Sequence, residues 1–228
     1  MTMLLNNIRG WATMTKIEKL VKELCPDGVE HKQLQDIVTI ERGRRVVRDQ
    51  LSEEGLYPVY QNSLTPLGFH SKYNYPAEST FIIVAGAAGE IGYSTVDFWA
   101  ADDCFVLVCP KDILNRYIYY VLMNQQEMLR GKVRKASIPR LPRTALDKLI
   151  VPVPPVEVQR EIVRILDNFT ELEAELEAEL EARRKQYEYY RDLLLSFGDV
   201  DNSQNVNVER EREREREREP DGQMADIE

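Results

Sequence analysis

The sequence predicts an α+β fold, a mixed domain followed by a long coiled-coil helix, and three observations point there. Strand-like runs, YPVYQ (57–61), TFIIVAG (80–86) and CFVLVC (104–109), are rich in β-branched and aromatic residues and bounded by Gly, Pro or Asn. Helical stretches interrupt them without regular strand–helix alternation, which favours a mixed sheet over a doubly wound one. From Val156 to Phe197 there is neither Gly nor Pro, and the good helix formers Glu, Leu, Ala, Arg and Gln dominate.

Residues 1–14 are expected to be an N-terminal extension, too weakly apolar for a signal peptide. Ile17, Leu20, Val21 and Leu24 follow helical spacing, so residues 15–24 are predicted helical, with Pro26-Asp27-Gly28 turning the chain. Residues 29–34 suit a strand and residues 34–38 a second short helix. A basic loop is expected over 41–48. Residues 112–130 read as one helix with Ile113, Tyr117, Tyr120, Val121 and Leu129 available for burial. A basic, proline-containing loop (131–143), a short helix near 144–149 and the extended LIVPVPP complete a domain expected over 15–155.

The predicted helix of residues 156–198 is about 63 Å long at about 1.5 Å per residue, more than one domain face can cover. Ile162, Ile165, Phe169, Leu172 and Leu176 are spaced three and four apart, Leu180 follows four later, and Tyr187, Tyr190, Leu194 and Phe197 resume the pattern from Arg183. That is a heptad seam with one stutter, and these residues are the expected dimer interface. Within it ELEA occurs three times (171–174, 175–178, 179–182), each copy adding about 6 Å of helix. Beyond it, residues 209–219 alternate Glu and Arg and bury no apolar face in any conformation, so the tail 199–228 is expected to be disordered.

A formal charge of −9 looks unfavourable for a polyanion partner, but its distribution matters more. Residues 1–160 carry 20 Lys/Arg against 18 Asp/Glu; residues 161–228 carry 10 against 21. The folded region is near neutral with local basic clusters, and DNA responds to local potential. Arg42, Arg44, Arg45 and Arg48 lie within seven residues; Arg130, Lys132, Arg134, Lys135, Arg140 and Arg143 lie within fourteen, with no acid among them. Basic loops on a scaffold suit phosphate contact and base-edge reading. Gln61 and Asn62, able to pair with adenine, and Ser137, flanked by the second cluster, complete the candidate DNA-binding set.

Catalytic and cofactor signatures are missing. AGAAGEIG (85–92) matches neither GxGxxG nor a P-loop and reads as a structural turn. His31 and His70 lack metal-ligand spacing, and Cys25, Cys104 and Cys109 form no CxxC, so no metal or cofactor is expected and the thiols read as reduced and cytoplasmic. No apolar run reaches the roughly 18 residues of a membrane span.

Several segments resemble one family. KLIVPVPPVEVQREIVRILDNF (148–169) is similar to the junction between recognition domain and spacer helix in type I restriction-modification specificity subunits. ARRKQYEYYRDLLLSF (182–197) resembles the end of that helix, VAGAAGEIGYSTVDFWAADDCFVLV (84–108) its glycine hairpin and following strand, and YPVYQN (57–62) the run before it. The resemblance covers roughly residues 15–198. It implies a target-recognition domain that reads half of a split DNA site and is not itself catalytic. It further implies methyltransferase subunits that carry the S-adenosylmethionine, and restriction/translocase subunits that join them. A full-length family member has two recognition domains and two helices; here one of each is present, so a half subunit forming a homodimer on a palindromic split site is expected. The alternative reading is a coiled-coil interaction protein whose basic loops bind an acidic partner.

Overall fold

The computed structural model describes residues 10–53 and 55–196, with side chains from Lys16 onward. Phe197, the Glu-Arg tail and the first nine residues lie outside the described residues. The chain divides into two compact units, Met1–Phe169 and Thr170–Glu228.

In the first unit, α1 (Gly10–Leu24) starts earlier than the predicted 15–24. There follow β1 (His31–Gln33), α2 (Leu34–Ile37), β2 (Thr39–Arg42), β3 (Tyr57–Tyr60), β4 (Gly68–His70), β5 (Ser79–Ile83), β6 (Ile91–Ser94), β7 (Trp99–Ala100) and β8 (Cys104–Val108). The predicted 112–130 helix is two, α3 (Asn115–Asn124) and α4 (Gln126–Gly131). The break falls at Gln125, whose φ of −105° and ψ of 7° leave the helical region. Then come α5 (Arg143–Asp147), β9 (Ile150–Pro152) and α6 (Val156–Leu195), which continues into the second unit.

Three sheets form. The central one is antiparallel with order β2-β8-β5-β6; β4-β3-β7 is mixed, its β3–β7 pair parallel; β1 and β9 pair alone. The turn between β5 and β6 is the glycine-rich stretch, which acts structurally. The β1–β9 pair ties the start of the domain to the segment just before α6, through registers such as Lys32 with Val151.

β5 is buried along its whole length. On one side Ile82, Leu107 and Leu34 pack with Ile118 and Leu122 of α3, Leu129 of α4 and Leu146 of α5. On the other Phe81, Phe98 and Tyr75 form an aromatic core, with Tyr60 against Phe81 at 4.6 Å. Burying a large apolar side chain contributes roughly 1.5–3 kcal/mol, so these clusters dominate the domain's stability.

Polar ties fix the first turns of α6 on this unit. Gln159, fully buried, accepts from Leu114 N at 2.9 Å and donates to the carbonyls of Asp112 and Pro154. Arg116 bonds Asp167 at 2.8 Å while its guanidinium lies over Tyr93, Tyr119 and Tyr120, 4.4–5.0 Å from each ring centre. Glu161, buried, takes Lys16 of α1 at 2.9 Å and Arg164 at 2.7 Å. The bonds from Arg164 and Lys16 hold its carboxyl down to about 2.

In the second unit, every described residue from Thr170 to Leu195 is exposed.

Candidate nucleic-acid interface

The first basic loop leaves β2 with its backbone tied down and its side chains outward. Gly43 N donates to Cys104 O and Arg44 N to Ala100 O at 2.9 Å. A Cβ on Gly43 would lie 2.1 Å from Ala101 O, so only glycine fits. Val46, buried against Val59 and Ala101, plugs the loop onto the domain. Arg42, Arg44, Arg45 and Arg48 are all exposed. Arg42 Nε donates to Asp102 O at 2.7 Å, whereas Arg44, Arg45 and Arg48 make no ion pair with described residues. Beside them, burial and a hydrogen bond to Glu41 push the Tyr75 phenol up to about 12, with Arg44 opposing.

The second loop is a hairpin. Arg134 and Arg140 exchange backbone bonds at 2.8 and 3.2 Å, which places Lys135 and Ser137 in the enclosed tip. Lys132, Arg134, Lys135, Ser137 and Arg140 are exposed. The flanking Arg130 and Arg143 are instead paired, with Glu127 at 2.8 Å and Asp147 at 3.4 Å.

Backbone bonds join the two loops. From Arg44 the path runs to Ala100; Ala101 N donates to Tyr60 O, and the chain itself carries the path through Gln61, whose carbonyl also accepts from the Cys104 side-chain thiol at 3.3 Å. Ala87 N donates to Asn62 O at 2.9 Å, and Gly86 N to Pro139 O in the second loop at 3.2 Å. Gly86 permits this with φ of +84° and a Cβ position only 2.8 Å from Asn62 O. Gln61, half-buried, and Asn62, exposed, therefore sit between the two clusters along this path. Two turns of polar side chains, set by main-chain bonds and carrying exposed cations in no ion pair with described residues, can hold phosphates and present hydrogen-bonding groups to base edges.

The candidate dimer residues separate into two groups. Ile162 packs against the domain core and Ile165 is half-buried. Phe169, Leu172, Leu176, Leu180, Tyr187, Tyr190 and Leu194 are exposed, between 47 and 69% of their surface.

No group of three or more His, Cys, Asp or Glu side chains among the described residues is arranged to hold a metal ion. Burial pushes the thiols of Cys104 and Cys109 up to about 12, so both stay protonated and poorly nucleophilic. No helix among the described residues is long and apolar enough to cross a membrane.

Sequence reasoning passed over Trp99. Its indole Nε1 donates to Arg44 O at 2.9 Å, bracing the first loop. No local pattern marks it, because its partner is 55 residues away.

Comparison with known proteins bears on this surface. The family model for the type I restriction modification DNA specificity domain matches residues 26–182. A Mycoplasma pneumoniae protein assigned as a type I specificity subunit is 34% identical over 169 residues, 72% of this chain and 46% of that one. A Haemophilus influenzae protein assigned as a type I restriction enzyme specificity subunit is 34% identical over 203 residues, 82% of this chain and 50% of that one. The chain thus spans about half the length of these relatives. The crystal structure of a type I restriction-modification S subunit from M. genitalium has a similar fold, with a TM-score of 0.60 at 20% identity over 75% of this chain and 46% of that one.

Proposed function

The chain belongs to the type I restriction modification DNA specificity family, and from that premise we propose that it is the sequence-reading, non-catalytic subunit of a type I methyltransferase/endonuclease complex. The observation that carries the reading is the main-chain path that joins the two basic loops through Gln61 and Asn62. Arg44, Arg45, Arg48, Lys132, Arg134, Lys135 and Arg140 supply phosphate-holding cations, with Gln61, Asn62 and Ser137 as readers of base edges. Arg42 supports the first loop through its bond to Asp102 O.

The chain works with a methyltransferase subunit, which carries the S-adenosylmethionine, and with a restriction/translocase subunit, in the cytoplasm. It forms a homodimer through the exposed seam from Phe169 to Leu194. Two copies of one reader related by a two-fold axis require a palindromic site split by a spacer, and the ELEA copies set the spacer's length.

The test is co-expression with a type I methyltransferase subunit, followed by genome-wide mapping of methylated adenines. A palindromic split motif that vanishes when this chain is deleted is the expected result. An asymmetric split motif would mean that it works beside a different reader. Methylation independent of the chain would leave an interaction protein whose basic loops bind an acidic partner.

A further inference from the structure

Beside the first basic loop is an open cleft of about 470 Å³ lined by Asp49, Gln50, His70, Lys72 and Trp99 among others. It adjoins the loop on two sides: Asp49 and Gln50 directly follow Arg48, and Trp99 is hydrogen-bonded to Arg44 O. His70 is the buried member, its ring stacked on Trp99 with centroids 4.4 Å apart.

The local bonding fixes what this imidazole offers. Nδ1 lies 2.9 Å from both the N–H and the carbonyl of Lys72. A backbone N–H left without an acceptor is rarer than an under-used carbonyl, so Nδ1 accepts from Lys72 N and the ring proton resides on Nε2. Nε2 has no partner among the described residues, yet no buried side-chain nitrogen or oxygen among them lacks one; Nε2 therefore reaches solvent. A ring held against Trp99 and by its own turn presents one oriented donor to the cleft. The Lys72 side chain, exposed and in no ion pair with described residues, adds a cation beside it. Asp49 lies in the same cleft, where its carboxylate offsets the Lys72 charge.

We propose that His70 is a specificity-determining residue, donating its Nε2–H to an acceptor atom of bound duplex DNA, with Lys72 as its electrostatic companion. The proposal rests on the reading of this chain as a DNA reader. A base-edge acceptor, such as guanine N7 or O6, and a phosphate oxygen share this chemistry.

The test begins with selection of bound sequences from a random duplex library by the chain assembled with its methyltransferase subunit. The chain has only two histidines, so deuterium exchange at the imidazole C2 positions, read by mass spectrometry, compares them directly. His70 should be protected at least severalfold by the enriched duplex, while His31 stays unchanged. The variant His70→Asn keeps an oxygen where Nδ1 accepts from Lys72 and removes the distal donor. It should bind the enriched duplex roughly tenfold more weakly, the scale of one lost hydrogen bond, whereas His70→Gln, with a distal amide, should recover part of the loss. A base-edge contact changes preference at one position of the site; a phosphate contact weakens all sequences alike. Equal His70 exchange with and without duplex, or unchanged binding by a folded His70→Asn, would overturn the proposal while leaving the DNA reader intact. If the wild-type chain enriches no sequence, both fall together.

Discussion

The two parts of this chain treat the same residue types in opposite ways. In the first unit Leu34, Val59, Ile82, Phe98 and Leu122 are wholly removed from solvent. In the second, Leu172, Leu176, Leu180 and Leu194 are about half exposed or more. The first unit is stabilised by its own interior. The helix of the second has good propensity and ion pairs such as Arg183–Glu179 and Lys185–Glu181, but each pair contributes only about 0.3–0.5 kcal/mol. A helix of that kind depends on an apolar face being covered, and the seam from Phe169 to Leu194 is about half exposed or more among the described residues. Stability in one part is local; in the other it calls for a second surface.

The strongest way to break this comparison is to cut into both parts. Leu122→Ala should destabilise the first unit by about 2–5 kcal/mol, the range for a buried leucine, read as a lower urea midpoint. A change under about 1 kcal/mol would mean that the α3 interface is loosely packed. Leu176→Asp should change that midpoint by less than about 0.5 kcal/mol, as surface substitutions do, yet shift self-association to at least tenfold higher concentration in sedimentation equilibrium. An unaltered association curve would remove the seam as the dimer interface.

The smallest effect sharpens the border between the parts. Glu161 has its carboxyl lowered from 4.5 to about 2 by Arg164 and Lys16. A depressed carboxylate contributes stability above its unfolded value and loses it as pH falls through the folded one. The advantage of wild type over Glu161→Gln should therefore be constant above about pH 5 and shrink between about pH 4.5 and 2, measured by denaturant unfolding at each pH. An advantage that grows on acidification would mean that Glu161 is not held by these cations.

Much of the architecture was legible because it rests on local pattern. The runs at 57–61, 80–86 and 104–109 became β3, β5 and β8, since β-branched density is itself the signal. The long helix was legible from composition alone. The short strands were not: β4, β6 and β7 exist because partners elsewhere hydrogen-bond them, as Trp99 pairs with Val59 forty residues back. β2 was read as the start of a basic loop because Glu41 and Arg42 lack strand character, and its pairing with β8 overrides propensity. The helix break at Gln125 has no Gly or Pro to announce it. As for the candidate interface, its charges could be read directly, but the link from Asn62 through Gly86 to Pro139 is tertiary, and so is the stacking that orients His70.

The main-chain bonds that pin the two basic loops have a bearing on how such a protein changes. They use amide and carbonyl groups, which nearly every residue possesses, and leave the outward side chains of Arg44, Arg45, Lys135 and Ser137 with no structural duty. Those positions behave like movable type in a locked frame. New lettering can be set without recasting the frame, so altered sequence preference should be reachable by a few exposed substitutions, while Gly43 and Gly86, the pins of the frame, tolerate none.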